Sequence, residues 1–257
     1  MLNYIEYAPE HEGRPLVIAH GLYGSARNWG VLAKRLCDTR TVVTVDMRNH
    51  GDSPWFDSHT YEDMAKDLAE VIGSLGGEAD VLGHSMGGKA AMMLALTRPD
   101  RVAHLIVADI SPVAYGHSQI EYIEAMRAVD LSGVTRRSEA DAGLAKRVAD
   151  PMLRAFLLQS LSLADGKARW KLNLDVLAED MDGILDFPAV EGSFDGPVRF
   201  IHGSKSDYVK DDYHGRIREL FPLAEFDVLE GAGHWLHAED PRGFEAMVRC
   251  ALKRQAT

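Results

Sequence analysis

Along the chain, short apolar runs rich in β-branched residues alternate with segments of helical periodicity. "PLVIAHG" (15–21) and "TVVTVDMRNHG" (41–51) read as strands ending in turns. "TYEDMAKDLAEVIGSL" opens with Thr60 and Asp63 in capping-box positions, and Met64, Leu68, Val71, Ile72 and Leu75 follow at helical spacing. A strand "ADVLGHS" (79–85), a helix over Met86–Thr97 and a strand "AHLIVADIS" (103–111) come next. Towards the C-terminus the pattern predicts a strand "PVRFIHG" (197–203), a helix over Asp211–Leu220, a strand "EFDVLEG" (225–231) and a last helix over 241–252. This alternation predicts an α/β fold, a mostly parallel central sheet flanked by helices.

Between Ser111 and Gly196 the strand rhythm stops. "SQIEYIEAMRAVDL", "SEADAGLAKRVAD", "DPMLRAFLLQSL" and "RWKLNLDVLAEDM" all read as helices, the third with Asp150 as N-cap and Pro151 at the first helical position. A connection this long exceeds an ordinary loop. It reads as a helical lid, residues 111–196, inserted into a core made of 1–110 and 197–257. There is no internal repeat and no low-complexity tract.

Composition narrows the function classes. The chain has 257 residues, 46% hydrophobic and 26% charged, which suits one globular α/β domain with an insertion. A net charge of −11, with no basic cluster longer than Arg136-Arg137, repels phosphate backbones and anionic lipid, so neither nucleic acid nor a membrane surface is an expected partner. The first residues, "MLNYIEYAPEHEG", lack the basic and apolar regions of a signal peptide, and a cytoplasmic location is expected. Cys37 and Cys250 lack CxxC spacing and read as two buried free thiols. His234 and His237 form an HxxH pair that reads as a loop coincidence, so no metal site is expected.

The chemistry-bearing motif is Gly83-His84-Ser85-Met86-Gly87, a G-x-S-x-G match between an apolar strand and an Ala/Leu/Met helix. A tight strand–helix turn needs small flanking residues, and it projects the serine hydroxyl at a helix N-terminus, where developing negative charge is favoured. Ser85 is the candidate nucleophile. A serine needs a base. "EGAGHWLHAEDP" places His234 in a glycine-rich loop after the last strand, with Trp235 beside it, while His237 reads as a surface-loop residue. Two aimed amides must hold the oxyanion. Met86 follows the nucleophile, and Leu22 follows the turn begun by His20-Gly21 in "HGLYGS"; His20 itself reads as structural.

Together, "HGLYGSARNW", "DMRNHGDS", residues 83–88 and "EGAGHW" resemble the α/β-hydrolases of the esterase, lipase and haloperoxidase superfamily. "ADISPVAY", "FLLQSL", "WKLNLDVL" and "GSKSDYV" are more specifically similar to the YbfF-type bacterial esterases and the mitochondrial ABHD-eleven group. The similarity runs from near Leu2 to the last helix. It implies hydrolysis of carboxylic esters and some acyl-CoA thioesters, with no metal or organic cofactor.

The resemblance also bears on the triad acid. The superfamily commonly writes the post-strand acid turn as glycine, two residues, then aspartate, and here that position holds Ser206, with Asp207 one residue late. YbfF-type enzymes carry the same serine, and their acid matches Asp109 in "IVADISP". Asp109 is the favoured acid on that ground. Asp207 stays open as the alternative, and Ser206 would bond to the acid or to the histidine.

The expected function is a serine esterase with a covalent acyl-enzyme on Ser85, acting as a monomer or homodimer on a small-molecule ester or thioester. Tyr115, Tyr122, Met126, Phe156 and Trp170 are candidates to line the acyl pocket, and Arg169 and Lys171 to attract a CoA phosphate or form a solvated helix face. Dehalogenase and epoxide hydrolase readings fail because both need a carboxylate where Ser85 stands. Perhydrolase, lactonase and C–C bond hydrolase activities use the same triad, and a non-catalytic ligand-binding protein shares the fold.

Overall fold

The computed structural model describes residues 1–253 except Pro9 and His117. In chain order the elements begin with β1 (Tyr4–Tyr7), β2 (Leu16–Ala19), α1 (Gly30–Leu36), β3 (Val42–Val45), α2 (Tyr61–Ser74), β4 (Ala79–His84), α3 (Met86–Thr97) and β5 (Val102–Ala108). The segment that follows holds α4 (Ile120–Arg127), α5 (Arg137–Leu144), α6 (Pro151–Leu157), β6 (Leu161–Ser162), β7 (Arg169–Trp170), α7 (Leu174–Glu179) and α8 (Met181–Leu185). The chain then returns through β8 (Val198–Gly203), α9 (Asp211–Leu220), β9 (Ala224–Leu229), α10 (Leu236–Glu239) and α11 (Pro241–Lys253).

Among the described residues, seven strands form one sheet in the order β1-β3-β2-β4-β5-β8-β9. Only β1 pairs antiparallel; every other pairing in this sheet is parallel. Parallel strands covered on both faces are buried along their length and largely apolar. All four residues of β2 and all six of β4 are buried accordingly. Helices α2 and α3 press Met64, Leu68, Met92 and Leu94 onto one face, while α1 and α11 bring Leu32, Leu36, Phe244 and Val248 to the other. Thr60 caps α2 as its sequence predicts, accepting the Asp63 amide at 3.2 Å.

Several local expectations need correction. β1 is not apparent from the sequence pattern, because four residues at a sheet edge with mixed burial give too short a signal. Residues 169–173 are not helical. Arg169-Trp170 instead pairs with Leu161-Ser162 in a two-stranded ribbon, and Leu172 bridges to His50, docking this stretch onto the core. Lys171 therefore lies on no helix face, and it forms an ion pair with Asp52 at 2.5 Å. The two thiols are not both buried: Cys37 is half-buried and Cys250 exposed, since Phe244 and Val248 take the inward positions of α11.

The segment between β5 and β8 has its own apolar centre, with Ile123, Met126, Leu144, Leu157 and Leu177 fully buried. Asp150 caps α6 by accepting the Met152 amide at 2.8 Å. Both ends of the segment are tied to the core by one side chain. The buried Lys89 ammonium, one turn into α3, donates to the carbonyls of Val113 (2.9 Å), Leu185 (2.8 Å) and Asp186 (2.7 Å).

Candidate active site

The parallel strands end on one edge of the sheet, and the β4–α3 turn rises there. Ser85 sits in it at φ 53°, ψ −121°, a conformation L-residues rarely adopt. Close packing enforces the turn. A Cβ on Gly83 would lie 2.2 Å from the Gly87 carbonyl oxygen, and one on Gly87 would lie 2.4 Å from that of Ala19. The glycines of the motif are thus steric requirements. Ser85 is half-buried, and the Met86 amide belongs to the first turn of α3, where N–H groups have no intrahelical acceptor.

Asp109 follows β5, the neighbouring strand, and is also held at positive φ (52°). It is fully buried, and His234 Nδ1 lies 2.6 Å from its Oδ2. Ser206 donates its hydroxyl to the same oxygen at 2.5 Å, and the Gly203 amide donates to Oδ1 at 3.1 Å. The ends of β5 and β8 therefore present carboxylate and serine together. Asp207 points away: its side chain is 90% exposed and pairs with Lys210 at 3.3 Å.

The loop carrying His234 is braced from two sides. His84, one residue before Ser85, places Nε2 2.9 Å from the His234 carbonyl oxygen, and the Tyr208 ring stacks on the imidazole with centroids 4.1 Å apart. Neither residue stood out in the sequence beyond its motif. Burial holds His84 well below the usual histidine range, and it pushes His237 down to about 4. The two histidines nearest His234 are therefore uncharged and add no repulsion to a proton on its ring. His237 is not a surface-loop residue; its ring stacks on Trp29 at 4.2 Å. His20 is buried and structural, bonded to the Gly21 carbonyl (2.8 Å) and the Met47 amide (3.0 Å).

A cavity of about 410 Å³ opens beside these groups, with Leu22, Ser85 and His234 all on its wall. Tyr122 and Phe156 line it, as do Gln119 and Leu153 from the same segment and Trp235 from the core. Met126 and Trp170 do not. The Trp170 indole N–H donates to the Met126 carbonyl at 3.0 Å, so these two side chains pack the interior of their own segment. Tyr115 lies apart from this cavity but borders a smaller one, about 30 Å³, that also reaches Ser85; its hydroxyl donates to the Tyr208 carbonyl at 2.7 Å.

A mostly parallel sheet with a strained serine turn on its strand-end edge and a histidine loop after the last strand defines an α/β-hydrolase fold. The chain belongs to the alpha/beta hydrolase family, whose sequence profile matches residues 16–247. It is 43% identical over 238 residues to the sn-1-specific diacylglycerol lipase ABHD11 of Mus musculus, covering 89% of this chain and 78% of that protein. With Esterase YbfF of Escherichia coli it shares 38% identity over 247 residues, 95% of this chain and 94% of the relative. A solved structure of a marine microorganism esterase superposes with a TM-score of 0.91 at 38% identity, covering 96% of this chain and 98% of that one.

Proposed function

We propose that this ester hydrolase works through a covalent acyl-enzyme on Ser85, with His234 as general base and acid and Asp109 as the orienting carboxylate. Ser85 Oγ attacks the substrate carbonyl carbon while His234 takes its proton. The amides of Leu22 and Met86 hold the oxyanion. The tetrahedral intermediate collapses by breaking the bond to the leaving oxygen, which receives the proton from His234. Water, deprotonated by His234, then attacks the acyl-enzyme and releases the acid and Ser85.

The observation that carries this reading is a single constellation. A serine in a strained strand–helix turn and a histidine 2.6 Å from a buried carboxylate share the wall of one cavity. The printed names of the relatives, an esterase and a diacylglycerol lipase, support carboxylic esters as the substrate class. Residues 111–196 act as a lid, a reading supported by the Gln119, Tyr122, Leu153 and Phe156 they contribute to that wall. Among the described residues, no helix is long and apolar enough to cross a membrane.

The test is the initial rate across p-nitrophenyl esters from acetate to palmitate, with acyl-CoA thioesters alongside and Ser85→Ala as control. Turnover that vanishes in the variant supports the proposal. A folded protein that turns over none of them contradicts it.

A further inference from the structure

The loops after β2 and β3 hold each other through two buried histidines. His20, after β2, accepts the Met47 amide on Nε2 at 3.0 Å, and Met47 belongs to the loop after β3. His50, in that second loop, accepts the Tyr23 amide on Nε2 at 3.2 Å, and Tyr23 follows Leu22. Each ring turns Nδ1 to a carbonyl at 2.8 Å, that of Gly21 for His20 and that of Arg48 for His50. A carbonyl only accepts and an amide only donates, so both rings are neutral and carry their proton on Nδ1.

This clasp surrounds the Leu22 amide. The peptide before it is held by the Gly21 carbonyl, which accepts His20 Nδ1–H and the Gly24 amide, the latter at 3.0 Å. In a trans peptide the N–H points opposite to the C=O, so the Leu22 N–H is aimed away from both of those donors. The peptide after it is held by His50. Tyr23 stands at φ 64°, a left-handed conformation that persists in an L-residue only where its surroundings enforce it.

His50 is itself fixed. Its loop is tied to α2 by the Arg48 guanidinium, which donates to the Asp67 carboxylate at 2.6 and 3.0 Å. The same loop is tied to the inserted segment, the Gly51 amide donating to the Lys171 carbonyl at 2.8 Å and the Asn173 amide to that of Asn49 at 3.0 Å. The ring is fully buried between those of His20 and His59, with centroids 5.1 and 5.3 Å away. It is on the wall of neither cavity that reaches Ser85, so a change there leaves the substrate-lining surface intact.

We propose that His50 is a positioning residue for the oxyanion hole: by holding the Tyr23 amide, its Nε2 keeps the Leu22 N–H aimed at the developing oxyanion. This role rests on the Ser85 mechanism proposed above and goes beyond it, because it assigns a task to a ring that touches neither Ser85 nor substrate. A misaimed oxyanion donor weakens the transition state and not ground-state binding, so its loss falls on kcat rather than KM.

His50→Asn and His50→Gln separate the two bonds of the ring. The Asn amide reaches the Arg48 carbonyl as Nδ1 does but falls short of Tyr23, whereas the longer Gln side chain puts an acceptor where Nε2 stood. Both are compared with wild type on p-nitrophenyl butyrate, with urea unfolding to establish folding and Ser85→Ala as control. Inhibition by an alkyl trifluoromethyl ketone supplies a readout that a merely structural role would not move. Ser85 Oγ adds to the ketone carbon, its proton passes to His234, and the carbonyl oxygen becomes an oxyanion in the hole.

His50→Asn is expected to lower kcat and weaken this inhibitor at least about thirtyfold each, with KM within about threefold, approaching the loss of one oxyanion donor. His50→Gln is expected to stay within about fivefold of wild type in both, since the acceptor is restored. A smaller loss in a folded Asn variant, a loss carried by KM, or a loss of kcat without weaker inhibition overturns the role of His50. Should the Asn variant fail to fold, the Gln variant carries the test, and a folded Gln variant outside its expected range overturns it. Wild-type turnover that survives Ser85→Ala overturns the proposed function instead.

Discussion

Asp109 and His234 are 125 residues apart in the chain, and their side chains meet at 2.6 Å between Oδ2 and Nδ1. The contact brings the end of β5 to the loop after β9, with β8 between them in the sheet. A buried carboxylate in this position fixes the imidazole tautomer and stabilises the imidazolium. Asp109→Asn keeps the shape but removes the acceptor that selects the tautomer. It is expected to lower kcat by about 10⁴-fold, the scale of such a change in a Ser-His-Asp triad. Asp207→Asn, at an exposed ion pair, is expected to leave kcat within about twofold. Steady-state kinetics of the two variants decide, and a collapse confined to Asp207→Asn contradicts the assignment.

Ser206 donates to the same carboxylate oxygen as His234, so it holds the acid in place and tempers its charge. Ser206→Ala is expected to lower kcat about tenfold, or roughly 1.4 kcal/mol of barrier, with KM little changed. An unchanged kcat would show that packing and the Gly203 amide position Asp109 unaided.

Much of this site was legible in the sequence. The Gly-x-Ser-x-Gly turn announces itself because steric demands at Gly83 and Gly87 leave few alternatives, and α3 spans the predicted Met86–Thr97. The choice of Asp109 over Asp207 came from a resemblance, since nothing in residue spacing says which strand end reaches the histidine loop. Met126 and Trp170 read as pocket candidates but pack their own segment, because an apolar side chain on a short helix or ribbon does not reveal whether it faces a cavity or its neighbours. Tyr208 and Gln119 give no signal in the sequence for the complementary reason: each sits in an irregular loop whose direction is set by tertiary contacts. Lys89 was invisible as well, since a lysine in a helix ordinarily reads as exposed.

That lysine carries a stability prediction. Replacing Lys89 by Met leaves the carbonyls of Val113 and Asp186 without their donor, while that of Leu185 keeps the Tyr115 amide at 3.1 Å. A buried carbonyl without a partner costs about 1–3 kcal/mol, so a loss of at least about 2 kcal/mol is expected in urea unfolding. A loss below about 1 kcal/mol would mean that the ends of the inserted segment are secured elsewhere.

Acid should weaken the fold well above the carboxylate range. Burial holds His50 and His84 well below the ordinary value of 6.5 and pushes His59 down to about 3. Each is neutral in the fold, while the unfolded chain takes up protons below 6.5. Their full stability is therefore present above pH 6.5 and declines as pH falls towards the folded values, by up to about 1.4 kcal/mol per pH unit for each group. Urea unfolding at pH 7.5 and pH 5.0 is expected to differ by at least about 2 kcal/mol, summed over these groups. Equal stabilities at the two values would contradict the neutral-histidine picture.

The central claim is that Ser85 is acylated. Intact-protein and peptide mass spectrometry after treatment with a fluorophosphonate tests it most directly, with Ser85→Ala treated in parallel. One adduct on the peptide containing Ser85, appearing in step with loss of ester hydrolysis and absent from the variant, is the predicted result. A folded protein that hydrolyses esters yet carries no adduct at Ser85, or an adduct that persists in Ser85→Ala, would contradict it.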